Sequence, residues 1–286
     1  MMRIHVLGGG TPTPTRERFG SAFAVEIGDD VLMFDCGPAA THKLVKSGLW
    51  PTEVSHLFFT HHHFDHDVDF PCLLLCRWDQ GAGREDPLKV YGPPPTRRFA
   101  ESLIGANGAF AHDWKARVHS PLSQRVYVNR GGVLPRRPPT VEAIDIEPGF
   151  VLDDRSWSVR AGYARHVQPY LDSLAYRVET TSGSVVFTGD TEPCQEVADL
   201  AAGADLLLCM CWDHQATMDA NGESRGQCGT TGAATMAQQA GVRRLALVHS
   251  GPVISRSDER ARVLESVGGA FSGEILFPEE LQAIEL

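Results

Sequence analysis

Residues 60–66 read Thr-His-His-His-Phe-Asp-His, and this stretch decides how the rest of the 286-residue chain is interpreted. It follows an apolar run at 54–59, which is typical of a buried β-strand. Five side chains able to bind a metal ion lie within six residues, and imidazole and carboxylate groups suit zinc, manganese or iron. Because functional side chains concentrate in loops that follow rigid strands, the stretch indicates a metal site rather than a solvated histidine tract.

The composition is that of a globular protein with one large domain or two small ones. An apolar content of 42% and a charged content of 22% are ordinary. The net charge of −10 argues against an electrostatic DNA or RNA binder, so nucleic acid is not expected as a partner. No segment approaches the roughly 20 apolar residues of a membrane span, and the apolar run at the start is too short for a signal peptide. We expect a cytoplasmic protein with mostly buried, reduced cysteines.

The order of predicted elements favours one α/β domain over residues 1–286. The elements predicted before the histidine-rich loop are strands at 3–7, 21–27, 31–36 and 54–59 and a helix at 39–47. Strands and helices alternate again between 141 and 248, and no linker separates the two halves.

The segment 105–140 is the least regular part of the chain. It carries Phe110 and Trp114 beside several arginines, and this aromatic content argues against disorder. Long irregular insertions in compact domains are usually lids, interfaces or disordered segments. We therefore predict that the insert covers the substrate or forms a dimer contact.

Three further metal-binding side chains follow apolar strands later in the chain. His166 comes after the strand at 157–164, Asp190 after the run at 184–188, and His249 after the run at 245–248. Taken singly, a histidine at a strand end is more often a core residue, and an aspartate after glycine is often part of a turn. Their common position at strand ends makes them the candidates to complete the site.

The motif Thr-His-x-His-x-Asp-His after an apolar strand resembles the signature of the metallo-β-lactamase fold hydrolases. The chain is most similar to the ribonuclease Z and arylsulfatase-like branch, from residue 3 to about residue 251. The motifs that carry this resemblance are Leu-Gly-Gly-Gly at 7–10, Phe-Asp-Cys-Gly at 34–37, Phe-Thr-Gly-Asp-Thr at 187–191 and Val-His-Ser-Gly at 248–251. The resemblance implies a four-layer αβ/βα sandwich.

The resemblance also implies a ligand set for two metal ions, which we expect to be Zn²⁺, with Mn²⁺ or Fe as alternatives. Metal one is assigned His61, His63 and His166; metal two is assigned Asp65, His66 and His249; and Asp190 is shared between them. His62 falls on a variable position and receives no role. Asp35 is expected to orient the metal loop without binding an ion.

Hydrolysis is the chemistry that such a site favours. Two divalent ions lower the pKa of a shared water from 15.7 towards about 7, and Asp65 can orient this nucleophile or take its proton. Redox relatives within the same fold need other ligands or a flavin partner, for which the sequence shows no sign. A scaffold that has lost its ligands is disfavoured because every ligand position is filled.

Two features argue against processing of tRNA 3′ ends, the activity of the ribonuclease Z branch. The position of its proton-donating histidine falls on Gln227, and glutamine cannot act as a general acid at neutral pH. The expected His-Glu-Ala-Thr segment is replaced by Cys-Met-Cys-Trp at 209–212, with His214 a few residues later as a possible catalytic group. Ribonuclease Z activity is therefore the alternative.

We predict a small, aromatic or ester-type substrate instead. The candidate pocket residues are Trp78, Trp114, Met210 and Trp212, although several of them could equally be core residues. A phosphodiester, a sulfate ester, a lactone and an aryl halide all remain open as the bond cleaved. A homodimer is expected because the branch is commonly dimeric.

Overall fold

Two seven-stranded sheets form the centre of the molecule, and the computed structural model describes all residues 1–286. The first sheet has the order β14-β1-β2-β3-β4-β5-β6 and the second the order β13-β12-β11-β10-β9-β8-β7. The strands of the first sheet are β1 Met2–Gly9, β2 Ser21–Ile27, β3 Asp30–Phe34, β4 Val54–Phe58, β5 Leu88–Gly92, β6 Val141–Asp145 and β14 Ala283–Glu285. Those of the second are β7 Val151–Asp153, β8 Trp157–Tyr163, β9 Leu174–Thr180, β10 Gly183–Phe187, β11 Leu206–Met210, β12 Arg244–Val248 and β13 Glu274–Leu276.

The helices cover the outer faces of the two sheets and occupy the loops at their edges. Those in the first half are α1 Ala40–Lys46, α2 Phe64–Asp67, α3 Phe70–Gln80, α4 Thr96–Ile104, α5 Ala111–His119 and α6 Pro121–Asn129, with a 3-10 turn at Pro51–Glu53. Those in the second half are α7 Gln195–Leu200, α8 Gln215–Asn221, α9 Thr230–Ala240 and α10 Arg260–Gly268. None of these helices combines the length and the apolar character needed to cross a membrane.

The two sheets pack face to face through a layer of aromatic side chains. Phe34 of the first sheet stacks on Phe187 of the second with ring centroids 4.3 Å apart, and it also stacks on Phe58 at 5.1 Å. Tyr176, fully buried, adds a tilted contact to the same group. Separate apolar cores lie between the first sheet and α1, α3 and α4, and between the second sheet and α7, α9 and α10. The four-layer αβ/βα sandwich is therefore confirmed.

Strand direction brings the polar loops to one edge of the sandwich. Strands β3 to β6 are mutually parallel, as are β10 to β13, so their carboxyl ends meet at the same edge of each sheet. Strand β8 runs antiparallel to β9, which is antiparallel to β10, and β8 therefore ends at that edge too. The loops that follow β4, β8, β10 and β12 carry the predicted metal-binding residues.

About half of the segment predicted as irregular, 105–140, is helical, which corrects that part of the expectation, and the rest is irregular as predicted. It contains α5 and α6, and Asp79 of α3 anchors it through ion pairs with Arg130 and Arg136 at 3.0 and 2.9 Å. Leu122 and Val126 lie one turn apart on α6 and are exposed. Its role as a lid or as a dimer contact stays a prediction.

Burial of His56 on β4 makes the stability of the fold depend on pH. The ring packs edge-on against Trp157 with centroids 5.0 Å apart, and burial, the largest cause, lowers its pKa to about 4. The unfolded chain takes up this proton near pH 6.5 whereas the folded chain does not until about pH 4, so stability falls as the pH falls between these values.

We predict that the His56→Phe variant loses this part of the pH dependence. The expected difference from the wild type is up to about 3 kcal/mol between pH 6.5 and pH 4, at about 1.4 kcal/mol per pKa unit. Urea unfolding of both proteins across this range measures it. Free energies of unfolding that change in parallel would show that His56 is not responsible.

Candidate metal centre

The four loops bring together all seven side chains assigned to metal ions by resemblance. They form two neighbouring groups of ligand atoms, each compact enough to hold one ion. The first group is His61, His63, His166 and Asp190, and the second is Asp65, His66 and His249. Each group combines residues from the first half of the chain with residues from the second half, so the two halves meet at the site as well as in the core.

The first group is centred on three imidazoles. His63 Nδ1 lies 3.0 Å from His61 Nε2 and 3.3 Å from His166 Nε2. Asp190 Oδ2 lies 3.9 Å from the His61 nitrogen and 3.8 Å from that of His166. Four nitrogen and oxygen atoms thus face a common point, as in a tetrahedral zinc site.

The second group uses the other oxygen of the same aspartate. Asp190 Oδ1 lies 3.4 Å from His66 Nε2 and 3.3 Å from His249 Nε2. Asp65 Oδ2 closes the group at 3.2 Å from His249 Nε2 and 3.6 Å from His66 Nε2. Asp190 therefore presents one oxygen to each group, as the shared ligand of a pair of ions would.

The hydrogen bonding of these atoms supports a fit to metal ions. Asp65 Oδ1, His66 Nε2 and Asp190 Oδ1 are buried and have no hydrogen-bond partner. Leaving such groups unpaired costs about 1–3 kcal/mol each, more when they are charged, so a ligand is expected at each. The donor set contains imidazole nitrogens and carboxylate oxygens, which suit zinc and also manganese or iron.

The electrostatics of the site combine strong burial with close opposite charges. Burial alone would raise the pKa of Asp190, but the imidazoles of His249 and His66 hold it well below its usual value. Burial alone would lower the pKa of His66, yet the carboxylates of Asp35 and Asp190 raise it well above the ordinary value. For His61, burial dominates and lowers the pKa strongly.

Asp35, at the end of β3, fixes the metal-binding loop from behind. Its Oδ1 accepts a hydrogen bond from the Thr60 backbone nitrogen at 2.7 Å, and its Oδ2 accepts one from His66 Nδ1 at 2.7 Å. The second bond leaves His66 Nε2 directed at the other ligand atoms. Asp35 has a left-handed φ of 59°, and His249 has one of 48°, so both positions carry backbone strain at the site.

A second support, on His166, involves two residues that the sequence did not reveal. His166 Nδ1 donates to the Gly226 carbonyl at 2.7 Å, which directs Nε2 towards the first group. The Gly226 nitrogen in turn donates to Glu192 Oε2 at 2.8 Å. Glu192 lies two residues after Asp190, and its own nitrogen donates to the Arg165 carbonyl at 2.7 Å. Glu192 thus links three loops of the site, one through its carboxylate and one through its backbone nitrogen.

Comparison with known proteins identifies the family. Residues 31–250 match the family model described as "Beta-lactamase superfamily domain". The chain belongs to the metallo-β-lactamase superfamily. It is a metal-dependent hydrolase, and the resemblance carried by the histidine-rich motif is confirmed at this level.

Individual relatives show how far the similarity of this hydrolase extends. A protein named ribonuclease Z from Mycobacterium sp. (strain KMS) is 30% identical over 301 residues, covering 100% of this chain and 96% of the relative. The metallo-β-lactamase fold protein YhfI from Bacillus subtilis superposes with a TM-score of 0.76 at 21% identity, covering 99% of this chain and 98% of YhfI. The short form of human tRNase Z superposes with a TM-score of 0.68 at 22% identity, covering 99% and 98% of the two chains.

The remaining residues predicted for the active site of the hydrolase take different positions. The Trp212 ring lies 6.4 Å from that of His249, between centroids, and His214 Nε2 lies 3.2 Å from Glu259 Oε2 at a half-buried position. Met210 is fully buried, and its sulfur accepts a hydrogen bond from the Thr191 nitrogen. Of this group, Trp212 lies beside a ligand histidine, whereas the recorded side-chain contact of His214 is with Glu259, and a role in catalysis or substrate binding stays a prediction for both.

Trp78 of α3 is held by the insert instead, and Trp114 of the insert is held by the end of α4. Trp78 donates to the Arg137 carbonyl at 3.0 Å and stacks under the Arg136 guanidinium, in a cavity of about 310 Å³ that none of the seven metal-site residues lines. Trp114 is buried and donates to the Ile104 carbonyl at 2.9 Å. These contacts are structural, so a substrate role for either tryptophan finds no support here. His62 bonds to Asp67 and Thr96 outside both groups.

We predict that Glu192→Ala weakens metal binding without unfolding the hydrolase. The change removes the acceptor that holds Gly226, and loss of such supports costs about 10–100-fold in metal affinity. Competition with a chromophoric chelator measures the affinity. Glu192→Gln keeps an acceptor oxygen and should stay close to the wild type, as should Glu223→Ala, which removes an exposed carboxylate from the neighbouring chain segment. Equal affinities for all four proteins would contradict a supporting role for Glu192.

Proposed function

We propose that this hydrolase holds two divalent ions, Zn²⁺ in the first instance, and cleaves a phosphodiester bond in a small substrate. The observation that carries the proposal is the position of Asp190, whose two oxygens lie 3.3–3.9 Å from nitrogens of separate ligand groups. A carboxylate shared in this way is suited to a pair of ions and would be superfluous at a single site. Mn²⁺ and Fe fit the same donors.

The residues that would hold the ions are those of the two groups described above. His61, His63 and His166 would hold the first ion, with Asp65, His66 and His249 on the second and Asp190 common to both. Bound divalent ions supply Lewis acidity and lower the pKa of water from 15.7 towards about 7.

Two side chains are proposed to act on the nucleophile and on the substrate. Asp65 is tied to His249 through Oδ2, which leaves its buried Oδ1 without a partner and able to accept a hydrogen bond from the attacking water. His214 is held by Glu259 and remains partly exposed, so its imidazole can contact the substrate at the rim.

A phosphodiester is favoured over the other candidate bonds by the relatives. The proteins named ribonuclease Z cut RNA, whose linkages are phosphodiesters, and one of them is similar over the whole chain. Sulfate esters, lactones and aryl halides have no comparable support. Trp212, beside His249, offers an aromatic surface against which an aryl group could pack.

Ribonuclease Z activity on a tRNA precursor is the second candidate, and the full-length similarity at 30% identity favours it. Two observations support the small substrate instead: glutamine occupies position 227, and the chain carries a net charge of −10. An acidic chain can still have a local basic groove, so only an assay separates the two candidates.

We expect the zinc-loaded wild type to hydrolyse bis(p-nitrophenyl) phosphate and Asp190→Ala to lose both activity and metal. Removing the shared ligand withdraws one donor from each group. Elemental analysis measures bound metal, and release of p-nitrophenolate measures turnover. Asp199→Ala, which removes an exposed aspartate from α7, is the matched control and should behave as the wild type.

The same assay should include an aryl sulfate, a lactone, a chlorinated aromatic compound and a tRNA precursor. Full activity and full metal content in Asp190→Ala would refute the two-ion site. Cleavage of the precursor with no turnover of the aryl phosphate would replace the small substrate with RNA.

A further inference from the structure

The loop between α8 and α9 reaches the first ligand group through its backbone. The Gly226 carbonyl accepts the hydrogen bond from His166 Nδ1 at 2.7 Å, and the Gly226 nitrogen is held by Glu192. Gly226 has a φ of +74°, and a Cβ atom there would lie 2.1 Å from the His166 carbonyl oxygen. Only glycine permits so close an approach. The next residue, Gln227, is therefore fixed one peptide unit away from a metal-site histidine.

The side chain of Gln227 has no hydrogen-bond partner in the protein. Its Oε1 is buried, and neither amide atom contacts a donor or acceptor of the chain. The nearby groups are satisfied: the Cys228 carbonyl accepts from the Trp212 nitrogen at 2.8 Å, and Ser224 Oγ bonds to Asp219. Gln227 is thus the one residue between α8 and α9 whose side chain has a buried acceptor atom without a hydrogen-bond partner.

A buried amide oxygen without a partner is costly to retain. The penalty for such a group is about 1–3 kcal/mol, and native proteins keep few of them. An apolar side chain of the same length would avoid this penalty. A donor supplied from outside the chain would remove it, and the loop that carries Gln227 is bonded through Gly226 to the ligand candidate His166.

We infer that Gln227 is a substrate-binding residue that sets specificity. Its amide oxygen accepts a hydrogen bond from a hydroxyl or amino group of the substrate, close to the bond that is cleaved. The substrate class in this inference, a phosphodiester, rests on the proposed function. The preferred substrate is therefore a phosphodiester that carries a hydrogen-bond donor, rather than a plain diaryl or alkyl aryl ester.

A pair of substrates that differ by one hydroxyl group tests this directly. Propyl p-nitrophenyl phosphate and 3-hydroxypropyl p-nitrophenyl phosphate share one leaving group. In the hydrolysis of each, the oxygen of water bonds to phosphorus, the bond from phosphorus to the aryl oxygen breaks, and p-nitrophenolate leaves with the electron pair while the water protons pass to solvent. Phosphorus-31 NMR distinguishes the 3-hydroxypropyl phosphate formed in this way from the cyclic phosphate that attack by the substrate's own hydroxyl would give, and only the former counts as turnover. No proton donor is needed for this leaving group, so the pair isolates recognition from acid catalysis.

We expect the wild type to favour the hydroxylated ester by on the order of tenfold in kcat/KM, which corresponds to one hydrogen bond of ordinary strength. Gln227→Ala and Gln227→Met should both lose the preference, mainly through a higher KM for the hydroxylated ester. The deciding quantity is the ratio of kcat/KM for the two esters, which should fall to about one in both variants. Gln239→Ala, an exposed glutamine on α9, is the matched control and should keep the preference.

Gln227→Met also separates recognition from folding, since it keeps the side-chain length. It removes an unsatisfied buried oxygen, so its melting temperature should equal or exceed that of the wild type, with unchanged metal content. A preference for the hydroxylated ester that survives in both variants, or that is absent from the wild type, would overturn the inference.

Binding measurements cover the case in which neither ester is hydrolysed. Titration calorimetry with propylphosphonate and 3-hydroxypropylphosphonate reports recognition without turnover. A tighter complex with the hydroxylated phosphonate that depends on Gln227 supports the inference, although the proposed phosphodiesterase activity would then have failed. Equal affinities for the two phosphonates in the wild type would refute it.

Discussion

The structure depends on a buried carboxylate held among imidazoles from both halves of the chain. Asp190 is almost fully buried, and removing an ionised carboxylate from water costs several kcal/mol unless opposite charges and hydrogen bonds offset it. His61 and His66 come from the first sheet, and His249 from the second. The stacked pair Phe34 and Phe187 holds the two sheets together just behind this edge. Sheet packing and site geometry are therefore one constraint, because neither sheet alone could stabilise the buried charge.

Much of this architecture could be predicted from the sequence, because buried strands leave a strong signal. Short, mostly apolar segments marked β1 to β4 and β10 to β12, and the residue after such a segment is a position where ligands concentrate. The sequence did not predict the elements that are short or that bury few side chains. The strands β7, β13 and β14 have three residues each, too few to show a period. The helices α5 and α6 bury few side chains, among them Trp114 and Tyr127, so their segment looked irregular.

Some residues of the site could be predicted from their type and position in the sequence, whereas others are recognised only from their contacts in the structure. Histidine and aspartate at strand ends pointed to the two ligand groups, although their role as ligands stays a prediction. Glu192 acts through the backbone of a residue 34 positions away, and no sequence pattern marks such a contact. Aromatic residues were a weaker indicator of the substrate pocket, because an aromatic side chain is expected to be buried but the sequence does not show where in the fold. Trp78 bonds to the insert and Trp114 to the end of α4, whereas Trp212 lies beside His249.

Membership of the hydrolase superfamily and the paired ligand groups together explain why so many polar atoms are left unpaired at one edge of the fold. Asp65, His66, Asp190 and Gln227 all carry buried atoms that the protein itself does not satisfy. The most direct test is anomalous X-ray diffraction at the zinc edge from crystals of the zinc-loaded protein. We predict two peaks, one within coordination distance of His61, His63 and His166 and the other of Asp65, His66 and His249, with Asp190 touching both. A single peak, or zinc bound elsewhere, would contradict the account.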